Sequence, residues 1–398
     1  MKRIDLRRAN VARPNTIRDI NRQIVLNLVR EREPVSRAEI ARETALHRST
    51  ISIILDRLLS DGLIEETGEG KSTGGRPPSL VRIRAAGAVA VGVDLGASRT
   101  VIAASDLAGR VLEQVAFDTD PDADATLGRI AESVRTLAST SDGMLEGIGV
   151  SVPGIVDREE GSALYVPRFG WSDLPVARRL SAATGLPTVV ENDANAAALA
   201  ELWFGRPEIR GVRDFILVMI GEGIGTGVVF DGQVYRGERG EAGEFGHMTI
   251  GQGAPVACSA GSYDCWESFA SERAALARYA KLLGRDGSSE NLLFSQLLDD
   301  ALEGQPAART ALAETARYLG VGISNLIKGL SPESVIVVGP IVRAWSLILG
   351  EINDVVEHNY CHRRSSVRII ASTLGEQPKL MGALSLVLAS KFAPAITL

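Results

Sequence analysis

Residues 215–230 read FILVMIGEGIGTGVVF, an apolar strand that runs into the Gly-rich turn Gly221 to Gly227 and out through Val228, Val229 and Phe230. The same plan stands earlier in the chain. The apolar strand Val89 to Val93 ends at Asp94 and the tight turn Gly96-Ala97-Ser98, about 125 residues upstream by subtraction (215 − 89). Two strand–turn–strand units at that spacing, set among alternating strands and helices from Ala88 onward, predict two similar α/β lobes facing a cleft.

Backbone N–H groups in Gly-rich turns form nests for anions, and a carboxylate such as Asp94 organises magnesium, so the two turns are candidate nucleotide contacts. Between them the strand end Val189-Val190 leads into Glu191-Asn192-Asp193-Ala194-Asn195. An Asn-Asp pair that starts a helix at the end of a parallel strand points into a cleft, where Asn192 and Asp193 can bind two hydroxyls of a polyol. Glu244 and His247, from Glu241-Ala-Gly-Glu-Phe-Gly-His247, and Glu267, from Cys265-Trp-Glu267, add the acceptors that sugars need. Taken singly, Asp193 as a helix cap and Glu244 as a surface residue are equally good readings.

The first 84 residues have another character. They hold seventeen Lys/Arg against eleven Asp/Glu, a net of +6, which leaves −12 on the other 314 residues of a chain whose total is −6. A basic head on an acidic body points to nucleic acid for the head alone. Ile17, Ile20, Ile24 and Leu28 recur at helical spacing; after Glu33-Pro34, Ser36-Arg-Ala-Glu39 is a capping box that starts a second helix; Ala45-Leu46 makes a turn. A third helix from about Arg48 to Ser60 buries Ile51, Ile54, Leu55, Leu58 and Leu59 and leaves Arg48, Ser49, Thr50 and Ser52 free, as in a recognition helix. Leu63-Ile64 and Leu80 to Ile83 flank the Gly-rich stretch Thr67 to Pro78 as a wing, with Arg76 aimed at a minor groove.

No apolar run approaches the roughly 18 residues of a membrane span, the start lacks the apolar segment of a signal peptide, and three cysteines are too few for a disulfide framework. A cytoplasmic location with no membrane partner is therefore expected.

These motifs together resemble the ROK family (repressor, open reading frame, kinase), in its regulator branch of xylose- and N-acetylglucosamine-responsive repressors. The resemblance rests on Leu46-His-Arg-Ser-Thr50, Gly74-Gly-Arg-Pro-Pro78, Val93-Asp-Leu-Gly96, Ser151-Val-Pro-Gly154, Glu191-Asn-Asp193, Gly221 to Gly227, Glu244-Phe-Gly-His247 and Cys265-Trp-Glu267. It implies an α/β chain with an actin-like two-lobed sugar-kinase fold and an N-terminal winged helix-turn-helix. Residues 1–84 would be the DNA-binding domain, 85–204 lobe 1 with a C-terminal helix at about 380–398 packing back onto it, and 205–379 lobe 2. Asn192, Asp193, Glu244, His247 and Glu267, with Pro153 and Gly154, would contact sugar; Ser36, Arg37, His47, Arg48, Ser49, Thr50, Ser52 and Arg76 would contact DNA.

Departures from the family pattern separate regulator from kinase. Glu222 stands where family kinases carry threonine, and two unit negative charges about 4 Å apart repel by about 4 kcal/mol at an effective dielectric near 20, so no ATP is expected. Gly96-Ala-Ser-Arg99 has lost a glycine that close backbone approach needs. The family's structural zinc uses one histidine and three cysteines; here His247, Cys258 and Cys265 remain, with water or Asp264 as the fourth ligand, or with both thiols as small buried apolar groups. Arg168, in Val166-Pro-Arg168-Phe-Gly-Trp171, stands where the family has asparagine and fits an anionic sugar, or else pairs with Glu244 or Asp193. The reading is a sugar-released repressor acting as a homodimer or dimer of dimers on an operator, with closure passed to the heads through Ala85 to Ala88. The alternative is a sugar kinase with Asp193 as general base.

Overall fold

The computed structural model describes residues 14–69, 77–84, 88–140, 143–205, 212–285, 292–359, 366–375 and 377–392. Arg76, Cys361 and the linker residues 85–87 lie outside the described residues.

The chain opens with helix α1 (Pro14–Arg32), the short strand β1 (Val35–Ser36), α2 (Arg37–Thr44), α3 (Arg48–Ser60) and the hairpin of β2 (Ile64–Glu69) and β3 (Ser79–Ile83). The strands form an antiparallel sheet in the order β1-β3-β2. Ser36 and Glu39 close the capping box that starts α2: the Ser36 hydroxyl accepts from the Glu39 N–H, and the Glu39 carboxylate accepts from the Ser36 N–H at 2.9 Å. Ala45, in the left-handed region at φ 56°, turns the chain from α2 into α3. Helix α3 buries Ile51, Ile54, Leu55 and Leu58.

One expectation for α1 is corrected. Its buried stripe is Val25, Leu26 and Val29, whereas Ile17 and Ile24 stay exposed, Ile24 at 44 %. The two stripes share one helix. The head packs on the inner one because that stripe meets α2, α3 and β3.

Lobe 1 is a five-stranded sheet in the order β11-β7-β4-β5-β6. Its members are β4 (Ala88–Leu95), β5 (Arg99–Asp106) and β6 (Val111–Asp118), then, after α4 (Ala123–Thr140), β7 (Met144–Val152). A small antiparallel sheet follows, of β8 (Ile155–Asp157), β9 (Ser162–Val166) and β10 (Trp171–Leu174), and then α5 (Val176–Thr184), β11 (Thr188–Asn192) and α6 (Asp193–Phe204). Strands β4, β7 and β11 run parallel, with Val89, Val91, Val93, Ile148, Val150 and Val190 buried beneath α4 and α5.

Lobe 2 repeats the plan with β12 (Phe215–Ile220), β13 (Ile224–Phe230) and β14 (Gln233–Val234). Helices α7 (Trp266–Ala270), α8 (Glu272–Leu282), α9 (Phe294–Leu302) and α10 (Pro306–Leu330) precede β15 (Ser334–Val338), α11 (Trp345–His358) and β16 (Arg368–Ala371). The sheet order is β14-β13-β12-β15-β16.

Helix α12 (Pro378–Phe392) then lies along β4, β7 and α6 of lobe 1. Backbone touches backbone there: a Cβ on Gly149 would stand 1.9 Å from the Ala383 oxygen, and one on Gly382 would stand 2.3 Å from the Ala196 carbonyl. Leu384, Val387 and Leu388 share one buried cluster with Val25, Leu26 and Val29 of the head.

No helix among the described residues is long and apolar enough to cross a membrane.

Candidate functional site

Asn192 ends β11 and caps α6. Its side-chain oxygen accepts from the N–H groups of Ala194 and Asn195, both at 3.0 Å, and its amide donates to the Gly154 carbonyl at 2.9 Å. Of the two polyol contacts expected from the Asn-Asp pair, Asn192 retains one spare N–H, since its acceptor is engaged by the cap. The cap places Asp193 where Asp94 and Lys379 on one side and Glu244 of lobe 2 on the other act on its carboxyl. Burial pushes the Asp193 carboxyl up to about 6 against the pull of Lys379, and the neighbouring charges of Asp94 and Glu244 act in the same direction as burial.

Lys379, in the first turn of α12, organises this end of the cleft. Its ammonium lies 3.5 Å from Asp94. Burial works against its charge, but Asp94, Asp193 and Glu222 outweigh burial and hold the ammonium protonated above the usual lysine range. Asp94 also accepts from the Ser151 hydroxyl at 3.2 Å. Glu272, at the start of α8, completes the group, pushed up to about 7 by burial and then by Glu222. No sequence motif marked Lys379 or Glu272, because a lone lysine after a proline carries no period and no spacing.

The second Gly-rich turn differs from the nest expected of it. Only Gly221 to Gly223 is a turn; Gly225 and Gly227 lie within β13, where α6 comes so close that a Cβ on Gly227 would meet the Ala194 oxygen at 2.6 Å. These glycines serve the packing of a lobe 2 strand on a lobe 1 helix. Glu222 is exposed on the turn, and its carbonyl accepts from Arg273 at 2.9 Å.

Glu267, expected at the sugar, is 4 % exposed and committed to backbone. Its oxygens accept from the N–H of Ile224 at 3.1 Å and of Ser259 at 2.7 Å, and Arg273 stands 3.4 Å away. It fixes the Gly-rich turn to the cysteine loop, a positioning role that only tertiary burial reveals.

Glu244 and His247 lie on one 3-10 turn, 3.8 Å apart and both exposed. Partial desolvation by the surrounding chain raises the Glu244 carboxyl against the pull of His247, and the nearby charges of Glu267 and Glu241 act in the same direction. Gly154, at φ 135°, brings the chain so near the Tyr165 oxygen that no side chain fits, and Pro153 precedes it half-buried. Arg168 is exposed on the β9–β10 turn, and neither of the pairs weighed for it, with Glu244 or with Asp193, is among the ion pairs of the described residues.

A buried ion pair joins the lobes beside Asn192. Glu191, 2 % exposed, meets Arg236, which follows β14, at 2.7 Å, with Arg158 at 3.6 Å.

His247, Cys258 and Cys265 present ligand atoms that all lie within 4.8 Å of one another. Burial raises the Cys258 thiol, but hydrogen bonds from Cys265, the backbone of Ser262 and Ala260, and His247 outweigh it and hold it below the usual thiol range. Two thiols and an imidazole fit a tetrahedral thiophilic ion in donor type and fall one protein ligand short. Asp264, expected as the fourth ligand in place of water, is not part of this group and accepts from the Ser262 hydroxyl.

In the head, His47, Arg48 and Ser49 are exposed at the start of α3, and Thr50 and Ser52 are half-buried beside them. Ser36 is corrected: at 4 % exposure, with its hydroxyl in the capping box, it is a cap and presents nothing to DNA. Arg37 is engaged at 3.0 Å by Asp56 and at 3.8 Å by Glu66.

A winged helix-turn-helix set on a two-lobed α/β cleft with a polyol-type polar cluster defines an actin-like sugar-kinase fold fused to a DNA-binding head. The chain belongs to the ROK family, whose model matches residues 90–390. It is 33 % identical over 387 residues to the xylose repressor of Caldicellulosiruptor bescii, covering 94 % of this chain and 96 % of that one. A solved ROK family transcriptional regulator, a homologue of the E. coli MLC protein, superimposes with TM-score 0.79 at 28 % identity over 95 % of this chain and 98 % of its own. A ROK family glucokinase from Streptomyces griseus, in complex with glucose and AMPPNP, gives TM-score 0.67 at 30 % identity over 75 % of this chain and 98 % of its own.

Proposed function

We propose that this chain is a sugar-responsive repressor of carbohydrate-utilisation genes. One observation carries the reading: both helices that begin at the cleft, α6 at Asp193 and α12 beside Lys379, run to the DNA-binding head, where Arg30 stacks on Trp203 and Leu384, Val387 and Leu388 pack on α1. A kinase has no use for such a connection. The extent of similarity supports the same view, since the xylose repressor is matched along 94 % of this chain and the glucokinase along 75 %.

In this reading the units are 1–84, 85–204 with the C-terminal helix, and 205–379. Arg48, Ser49, Thr50, Ser52 and His47 face operator DNA, and two heads of a homodimer, or of a dimer of dimers, read successive major grooves. Asp193, the spare N–H of Asn192, Glu244 and His247 hold a sugar between the lobes, and xylose heads the panel of candidates. Arg168, free on its turn, selects for an acidic or phosphorylated group. His247, Cys258 and Cys265 hold zinc with a solvent ligand, which would tie the Glu244 turn to the cysteine loop. The protein acts where its operator is, in the cytoplasm.

The cleft performs no phosphoryl transfer in this reading. Lys379 occupies the space beside Asp94 with a charge of the protein's own, and Glu222 adds a carboxylate where polyphosphate would lie. The kinase alternative rests on Asp193, whose pKa of about 6 suits a general base. Fluorescence anisotropy on DNA from upstream of its own gene, with a sugar panel, tests the first reading: specific binding released by one sugar is the expected result. An ADP-release assay giving turnover at ordinary enzyme rates would replace it with the second.

A further inference from the structure

The side chain at the centre of the outward face of α3 is an isoleucine. Ile53 is 59 % exposed, although its helix buries Ile51, Ile54, Leu55 and Leu58 on the opposite side. At 100° per residue, Ile53 follows Ser49 by one turn on the same face, with Asp56 and Ser60 beyond it. The surroundings are polar: His47, Arg48 and Ser49 lie exposed toward the start of the helix, and Asp56 is taken by Arg37 at 3.0 Å. An isoleucine there leaves most of its aliphatic side chain in solvent, and among the described residues of the head it is the large apolar side chain of α3 that stays exposed.

We infer that Ile53 is a base-reading residue that packs on the C5-methyl group of a thymine in the major groove. The methyl is the one apolar feature that the four bases present on that edge, and a recognition helix whose first turn carries an arginine and a serine places its second turn over the next base pairs. The inference rests on the DNA-binding reading of the head. A second protein copy is the other apolar surface that could cover Ile53, but the basic head and the exposed Arg48 favour a polyanion.

The test removes the methyl and nothing else. The wild-type chain first selects its preferred duplex from a random pool. Each thymine of that duplex is then replaced singly by deoxyuridine, and affinity is measured by anisotropy at fixed salt for the wild type, Ile53→Ala and Ile53→Val. One thymine per half-site is expected to cost the wild type about fourfold, the worth of one buried methyl group. Ile53→Ala is expected to be indifferent at that position, and Ile53→Val to keep most of the response. Indifference of the wild type at every thymine, or an equal loss in Ile53→Ala, overturns the proposal and leaves DNA binding intact. Failure of the wild type to select any sequence removes the DNA-binding reading and the proposal with it.

Discussion

The guanidinium of Arg30 lies 4.3 Å from the ring centroid of Trp203. Arg30 belongs to the first helix of the head and Trp203 to the last turn of α6, the helix whose first residue is Asp193. A cation over an indole is worth about 0.5–2 kcal/mol, enough to carry part of the 1–3 kcal/mol that a useful switch needs. Trp203→Ala is therefore expected to bind DNA within about threefold of the wild type in the absence of sugar. Its release by sugar should fall from a ratio on the order of 5–150 toward unity. Paired anisotropy titrations with and without the sugar give both numbers; undiminished release would assign the coupling to α12 alone.

Asp193 fixes how sugar binding depends on pH. Its carboxyl titrates near 6, and the ionised form is the better acceptor of a sugar hydroxyl. Affinity for the effector should rise as pH climbs through about 6 and level off above 7. In Asp193→Asn the slope should vanish and the affinity stay low throughout, as isothermal titration between pH 5 and 8 would record.

Glu272 sets a different dependence, in stability. Its carboxyl is raised from 4.5 to about 7, and one of its oxygens is buried without a hydrogen-bond partner. A group whose proton is held more tightly in the folded state stabilises the fold at low pH, and that contribution is lost as pH rises from about 4.5 to 7. Glu272→Gln removes the penalty. It should melt higher than the wild type at pH 8, by roughly 2–4 °C per kcal/mol gained, and match it at pH 4. A difference that does not change with pH would show that packing, and not charge, governs the site.

The metal group responds to a single thiol. Ala260 lies two residues after Cys258, with its backbone bonded to that thiol, so Ala260→Cys offers His247, Cys258 and Cys265 a fourth protein ligand. The variant is expected to retain one zinc per chain through a chelator wash that strips the wild type, read by a colorimetric zinc assay.

Much of this was legible in the sequence because it is periodic or punctuated. The strands before Asp94 and Gly221, the capping box at Ser36, the left-handed turn at Ala45 and the Asn192 cap all carry local signals, and each is present in the structure. Where local signals were equal, the sequence misled. Helix α1 has two apolar stripes, and periodicity alone does not choose Val25, Leu26 and Val29 over Ile17 and Ile24. Gly225 and Gly227 read as a phosphate nest because their role depends on a helix about 30 residues upstream by subtraction (227 − 194). Glu267 stands in a legible motif, but its two backbone partners, Ile224 and Ser259, lie far apart in the chain, at the start of β13 and on the cysteine loop. Lys379 had no signal at all, since its meaning is the company of Asp94, Asp193 and Glu222.

Helix α12 also imposes an order in time. It completes lobe 1 and supplies Leu384, Val387 and Leu388 to the seat of the head, yet it follows the described elements of both lobes in the chain. A nascent chain thus presents the winged helix before the α12 side chains that join its buried cluster have been made. In the proposed reading, docking by α12 is the step that places the head under control of the sugar, and a chain that has not yet made Leu384, Val387 and Leu388 lacks that control.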